Sequence, residues 1–172
     1  MGRYRKSAME AFEKAETLVR AWLEEECITR VDVYLNGLGD VGDTRCWLTT
    51  DGERKSVHID RNASSAINKL RGMQALPGRG AWFYSHLWME MPEGVLHQES
   101  DWMCEPDMGF DEVPLGSCKT ELDRYPRDQE FIPDWLRYKV ERWRLERGPV
   151  VARRVAHLEE EFRLEGGKYR YP

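Results

Sequence analysis

The alternation of hydrophobic and polar positions is most informative between Ala81 and Cys104, in AWFYSHLWMEMPEGVLHQESDWMC. Alternation with a period of two marks strands with one buried face, and Met91-Pro92-Glu93-Gly94 interrupts it with residues suited to a tight turn. Folding the segment at that turn predicts an antiparallel hairpin with Trp88 opposite His97, His86 opposite Glu99, Tyr84 opposite Asp101 and Trp82 opposite Met103. One face then carries Phe83, Ser85, Leu87 and Met89 against Leu96, Gln98, Ser100 and Trp102, apolar enough to cover a core. The other carries Trp82, Tyr84, His86 and Trp88 against His97, Glu99, Asp101 and Met103, too aromatic for a solvated face and too charged for a core.

The same reading places the other elements. Ser7 and Glu10 match a capping box, and Met9, Phe12, Ala15, Val19, Trp22 and Leu23 recur at helical spacing as far as Cys27. Arg30–Leu35 alternates as a half-buried strand and runs into the glycine-rich stretch Asn36–Asp43, read as a turn between strands with a ligand-binding contribution left open. Arg45–Thr50 and Glu53–Ile59 flank an Asp51-Gly52 turn, and Asp60 opens a short helix reaching Leu70. Glu105–Ser117 loses all periodicity and reads as a long irregular loop. Ile132-Pro133-Asp134-Trp135 opens a helix with Leu136, Val140 and Trp143 inward. Gly148-Pro149 is expected to break it, and a last helix follows to Gly166-Gly167.

These elements describe one α+β domain over residues 1–172: an antiparallel sheet of about five strands in a meander, an N-terminal helix and two C-terminal helices, with 1–6 and 167–172 as mobile ends. Seven Trp, seven Tyr and five Phe in 172 residues are too many for a disordered chain. A net charge of −5 argues against nucleic acid as a default partner and suits a basic protein. With no apolar run of signal-peptide or membrane-span length, the expected location is the cytoplasm. Cys27, Cys46, Cys104 and Cys118 show no paired spacing and read as reduced thiols.

Three kinds of chemistry compete for the second face of the hairpin. His86, His97, Glu99 and Asp101 together could form a carboxylate-histidine metal site or the acid-base centre of a small hydrolase, with Glu99 orienting His86. No nucleophile elbow, Walker loop or dinucleotide fingerprint accompanies them, so no catalytic residue, cofactor or metal is assigned. Protein recognition uses the same face differently: aromatic side chains anchor, and acids steer a basic partner. The residues assigned to that role are Trp88, His97, Glu99, Asp101, Glu105 and Asp107.

The succession of strand meander, Trp-rich hairpin, D-W-x-x-E-P-D segment (Asp101–Asp107), Y-P-R-D (Tyr125–Asp128) and I-P-D-W-L (Ile132–Leu136) resembles small bacterial immunity proteins that neutralise polymorphic toxins. The likeness spans Val31 to Leu136 and names no particular family. It implies a non-catalytic α+β protein that covers the active site of a cognate toxin, often a nuclease. Besides the small enzyme, a further alternative is a phage or plasmid accessory protein that binds a host factor through the same surface.

Overall fold

A computed structural model of the protein describes residues 2–109 and 112–164. The elements follow in the order α1 (Gly2–Glu25), β1 (Arg30–Leu38), β2 (Val41–Thr50), β3 (Glu53–Val57), α2 (Arg61–Met73), β4 (Tyr84–Glu90), β5 (Leu96–Asp101), α3 (Leu115–Arg124) and α4 (Asp134–Leu164). The five strands form one antiparallel sheet in the order β3-β2-β1-β4-β5, so β1 is the central strand. The β1-β2-β3 meander and the β4-β5 hairpin meet along β1, and α2 carries the chain from one to the other. The hairpin register pairs Tyr84 with Asp101, His86 with Glu99 and Trp88 with His97. The turn keeps this register because Gly94 takes a φ of +66° and its carbonyl accepts from Arg20 Nε at 2.7 Å, where a Cβ would run into the arginine.

α1 and α2 cover one face. Val31, Val33 and Leu35 of β1 and Leu87 and Met89 of β4 point into a core closed by Ala15, Val19 and Leu23 of α1 and Ala63, Ile67 and Leu70 of α2. Each wholly buried leucine here contributes on the order of 2 kcal/mol. Asp60 caps α2, accepting from the backbone N–H groups of Asn62 and Ala63. A polar cluster on this face is internally paired: Gln98 Nε2 donates to Ser85 Oγ and to Gln74 Oε1, which also accepts from Trp82 Nε1.

α3 and α4 build a second core around Leu38, Phe83, Met108, Val113, Cys118, Leu136 and Val140. Leu38 shares the alternation of Asp32, Tyr34 and Asn36, so this core sits on the other face, at one end of it. The ring of Phe83 meets Trp135 edge-on, with centroids 4.9 Å apart. A Phe83 face shared with Leu87 is therefore corrected, as is a Trp82 opposite Met103. β4 begins only at Tyr84, and the chain bends at Phe83 just before it, so the alternation lapses: Trp82 enters the first core and Phe83 the second.

A buried ion network joins the two cores. Glu121 of α3 is fully buried and accepts from Gly39 N and Arg71 Nη2, each at 2.7 Å, with Arg127 Nη2 at 3.5 Å. Arg127 donates to the carbonyl oxygens of Ala81, Trp102 and Phe131 and lies over the Phe83 ring. Burial pushes its guanidinium below the ordinary arginine range, against the pull of Glu121.

Three further expectations about the helices are corrected. α1 begins at Gly2, so residues 2–6 belong to its first turns and Ser7 is not its cap. The irregular stretch ends at Pro114 and α3 follows, a helix hidden because it buries Ser117, Cys118 and Glu121 instead of an apolar stripe. α4 runs without a break through Gly148-Pro149. Proline there removes one helical hydrogen bond, and the carbonyl it frees is that of Leu145, a residue 77% exposed, where water can replace the donor. The two helices after the sheet are thus α3 and α4. Residues 167–172 lie outside the described residues.

Candidate functional site

Among the described residues, the face of the sheet opposite α1 and α2 is covered by α3 and α4 only at its Leu38 end. Its remainder presents a continuous stack of rings across three strands. Tyr34 lies on His86 with centroids 4.5 Å apart and planes 5° from parallel; His86 lies on Trp88 at 4.8 Å, and Trp88 on His97 at 5.2 Å. This follows from the register, since Tyr34 faces His86 and Trp88 faces His97, and cross-strand neighbours on one face stand within ring contact. On the β2 side, Arg54 lies over the Trp47 ring at 4.9 Å and donates to Tyr34 Oη at 3.2 Å.

Asp32 anchors the stack from below. It is 4% exposed and accepts from Arg30 Nε and Nη2, both at 2.8 Å, and its Oδ1 lies 2.9 Å from His86 Nε2. The Arg30 hydrogen bonds, assisted by His86, hold its carboxyl below the usual aspartate range in spite of burial. An ionised Asp32 only accepts, so His86 Nε2 carries the proton in this bond. The expected orienting partner, Glu99, faces His86 across the strands but is exposed, and the buried carboxylate on the opposite neighbour makes the bond instead.

Where the segment after β5 rises beside the sheet it closes a groove of about 470 Å³. Tyr34, Trp47 and Tyr84 form its walls, and Asp101, Glu105 and Asp107 its acidic rim, with Arg45 between them. The structure places Trp88, His97, Glu99 and Asp101 on the open face and Glu105 and Asp107 at the groove beside it. Their availability differs. Asp101 Oδ1 accepts from the N–H groups of Met103 and Cys104, Glu105 pairs with Lys139 at 3.1 Å, and Asp107 pairs with Arg45 at 3.2 Å. Glu99 is exposed, with no ion-pair partner among the described residues.

The arginines of this face are already engaged. Arg30 is held between Asp32 and Glu90, and Arg45 between Asp43 and Asp107. Glu99 and Asp101 are both exposed, and neither takes part in an ion pair among the described residues; Arg54, the remaining arginine of this face, is engaged with Trp47 and Tyr34. Tyr34, Trp47 and Arg45 were not assigned to the site from sequence; the signal for them was the alternation of β1 and β2, which sets them on the same face as Trp88.

For acid-base chemistry the arrangement supplies one oriented imidazole, His86, with both ring faces covered by Tyr34 and Trp88. The nearest thiol at the groove, Cys104, is pushed up to about 11 by burial and stays protonated at neutral pH. Among the described residues no group of three or more His, Cys, Asp or Glu side chains is disposed to hold a metal ion. Nor is any described helix long and apolar enough to cross a membrane. No protein-family model matches the chain, and no curated protein matches it in sequence.

Proposed function

We propose that the protein is a non-catalytic cytoplasmic binding module of the immunity or inhibitor type, which occupies a basic protein partner through the open face of its sheet. The observation that carries this reading is the union of stacked aromatics with carboxylates left unanswered by their own neighbourhood. Tyr34, Trp88 and Trp47 offer rigid, half-buried contact area at low entropic cost, while Glu99 and Asp101 attract and orient cations from outside. The groove between Trp47, Tyr84 and Asp107 has the size and chemistry to take an arginine or lysine side chain of the partner. A nuclease toxin, whose active-site surface must attract phosphates, has the required basic character.

The test is capture from the native host with the wild-type chain and with the Glu99→Lys/Asp101→Lys variant, followed by titration of the purified partner over a range of salt. A basic partner that binds the wild type, weakens by about tenfold or more with the variant and loses its salt dependence supports the reading. A partner held equally by both proteins removes this face from the interface. A phage or plasmid accessory protein would differ only in the identity of what is captured.

The small-enzyme alternative draws its one support from the Asp32–His86 bond. Near-stoichiometric metal in protein purified without chelator, lost in His97→Ala, would favour it.

A further inference from the structure

On the helix-covered face, away from the aromatic stack, the tip of the β1-β2 hairpin leaves a second concavity. It measures about 480 Å³ and lies between that tip, the last turns of α2 and the end of α3. Leu35 and Thr44 of the sheet form its floor; Lys69 and Arg71 of α2 and Arg124 and Tyr125 of α3 stand around it.

The electrostatics of this cleft are opposite to those of the molecule as a whole. Three cations, Lys69, Arg71 and Arg124, line it, against one acid, Asp40, whose Oδ1 already accepts from Ser117 Oγ at 2.9 Å. In a chain of net charge −5 such a patch is not the average surface. The second observation is internal. Arg71 and Arg127 share the single carboxylate of Glu121, and the three side chains are 12%, 0% and 0% exposed. One positive charge is left over in a nearly dry site, and Arg71, the most exposed of the three, delivers it to the cleft.

The donors are also prepared. Arg71 donates Nε to Trp82 O at 2.8 Å and Nη2 to Glu121, and its guanidinium lies over the Tyr125 ring at 4.8 Å, so its orientation is set while Nη1 stays available. Arg124 donates Nη1 to Gly39 O at 3.0 Å and keeps Nη2. Lys69 has no partner among the described residues. Fixed guanidinium groups with unused N–H donors match the planar or tetrahedral oxygens of an anion.

We propose that this cleft binds a small organic molecule through an oxyanion group, phosphate or carboxylate, seated against Arg71, Arg124 and Lys69. Its volume exceeds what a bare inorganic ion requires and falls in the range of metabolite-sized sites, so the body of the ligand rests on Val41, Leu35 and Tyr125. The glycines of the hairpin tip serve this shape indirectly. A Cβ on Gly37 would overlap the Arg71 side chain, and one on Gly39 would strike the Ser117 carbonyl, so they allow Arg71 and α3 to close around the cleft.

The experiment is calorimetric titration of the full chain, at constant ionic strength, with adenosine monophosphate, citrate and inorganic phosphate. Saturable binding of the nucleotide or of citrate supports the proposal, and which of the two binds identifies the oxyanion. Lys69→Ala/Arg124→Ala, confined to exposed positions, should weaken it by about tenfold or more. Thr44→Trp, which fills the cleft without changing charge, should abolish it, while Lys55→Ala, an exposed cation on β3 outside the cleft, should leave it unchanged. No saturable binding of the organic anions, binding of inorganic phosphate alone, or equal binding in the double variant and Thr44→Trp would overturn the proposal. None of these results depends on the aromatic face, so the two readings fail separately.

Discussion

His86 Nε2 is bonded to Asp32 Oδ1 across β1 and β4, at 2.9 Å, and Asp32 is at the same time the acceptor for Arg30. One buried carboxylate thus ties a cation at the strand end to the first histidine of the ring stack.

The Asp32 carboxyl has a lowered pKa in the folded protein, through Arg30 first and His86 next. A carboxyl depressed in this way contributes stability above its unfolded pKa of about 3.9 and loses that contribution as pH falls through the folded value. Asp32→Asn should therefore destabilise the protein by about 2 kcal/mol at neutral pH, and the gap to wild type should shrink below about pH 4. Urea unfolding at a series of pH values measures both. A gap that is constant with pH would mean that the aspartate acts by shape alone.

Glu121→Gln leaves Arg71 and Arg127 buried without a counter-charge. The expected loss is on the order of 3–5 kcal/mol in chemical unfolding. Lys119→Ala, which removes a more exposed ion pair with Asp123, should cost no more than about 1 kcal/mol.

Two glycines separate backbone strain from close packing. Gly52 has a φ of +79° with open space around it, and Gly52→Ala should cost about 1 kcal/mol. Gly39, at +59°, would also press a methyl group into the backbone of α3, and Gly39→Ala should cost about 2–4 kcal/mol. Thermal unfolding of the pair checks the order.

The thiols differ in reactivity. Burial pushes Cys46 up to about 12 and Cys104 and Cys118 up to about 11, whereas Cys27 is exposed at the end of α1. A disulfide reagent at neutral pH should modify one thiol rapidly in the native protein, and Cys27→Ser should remove that phase.

The sheet was largely legible from the chain because period-two alternation and a Pro/Gly turn leave few registers for β4 and β5. Legibility failed where side chains answer partners far away in sequence. α3 buries a glutamate, which no hydrophobic pattern announces, and Glu121 finds Arg71 and Gly39 through space. The reversal of Trp82 and Phe83 has the same origin: two cores on opposite faces compete for adjacent aromatics, and the bend at Phe83 before β4 lets each take one. The face with the aromatic stack was visible as a mixed column of rings and acids, but its Tyr34, Trp47 and Arg45 members came into view only when β1 and β2 were set beside the hairpin.

The position of β1 has a consequence for synthesis. Its two neighbours are made at very different times, β2 immediately and β4 only after α2 has left the ribosome. Until Tyr84–Glu90 emerges, one side of β1 is an unpaired edge next to Val31, Val33 and Leu35, the geometry that invites pairing with another chain. Nascent chains stalled before the hairpin are thus the ones a chaperone would have to shield, and the hairpin that carries the ring stack is also the element that closes the sheet.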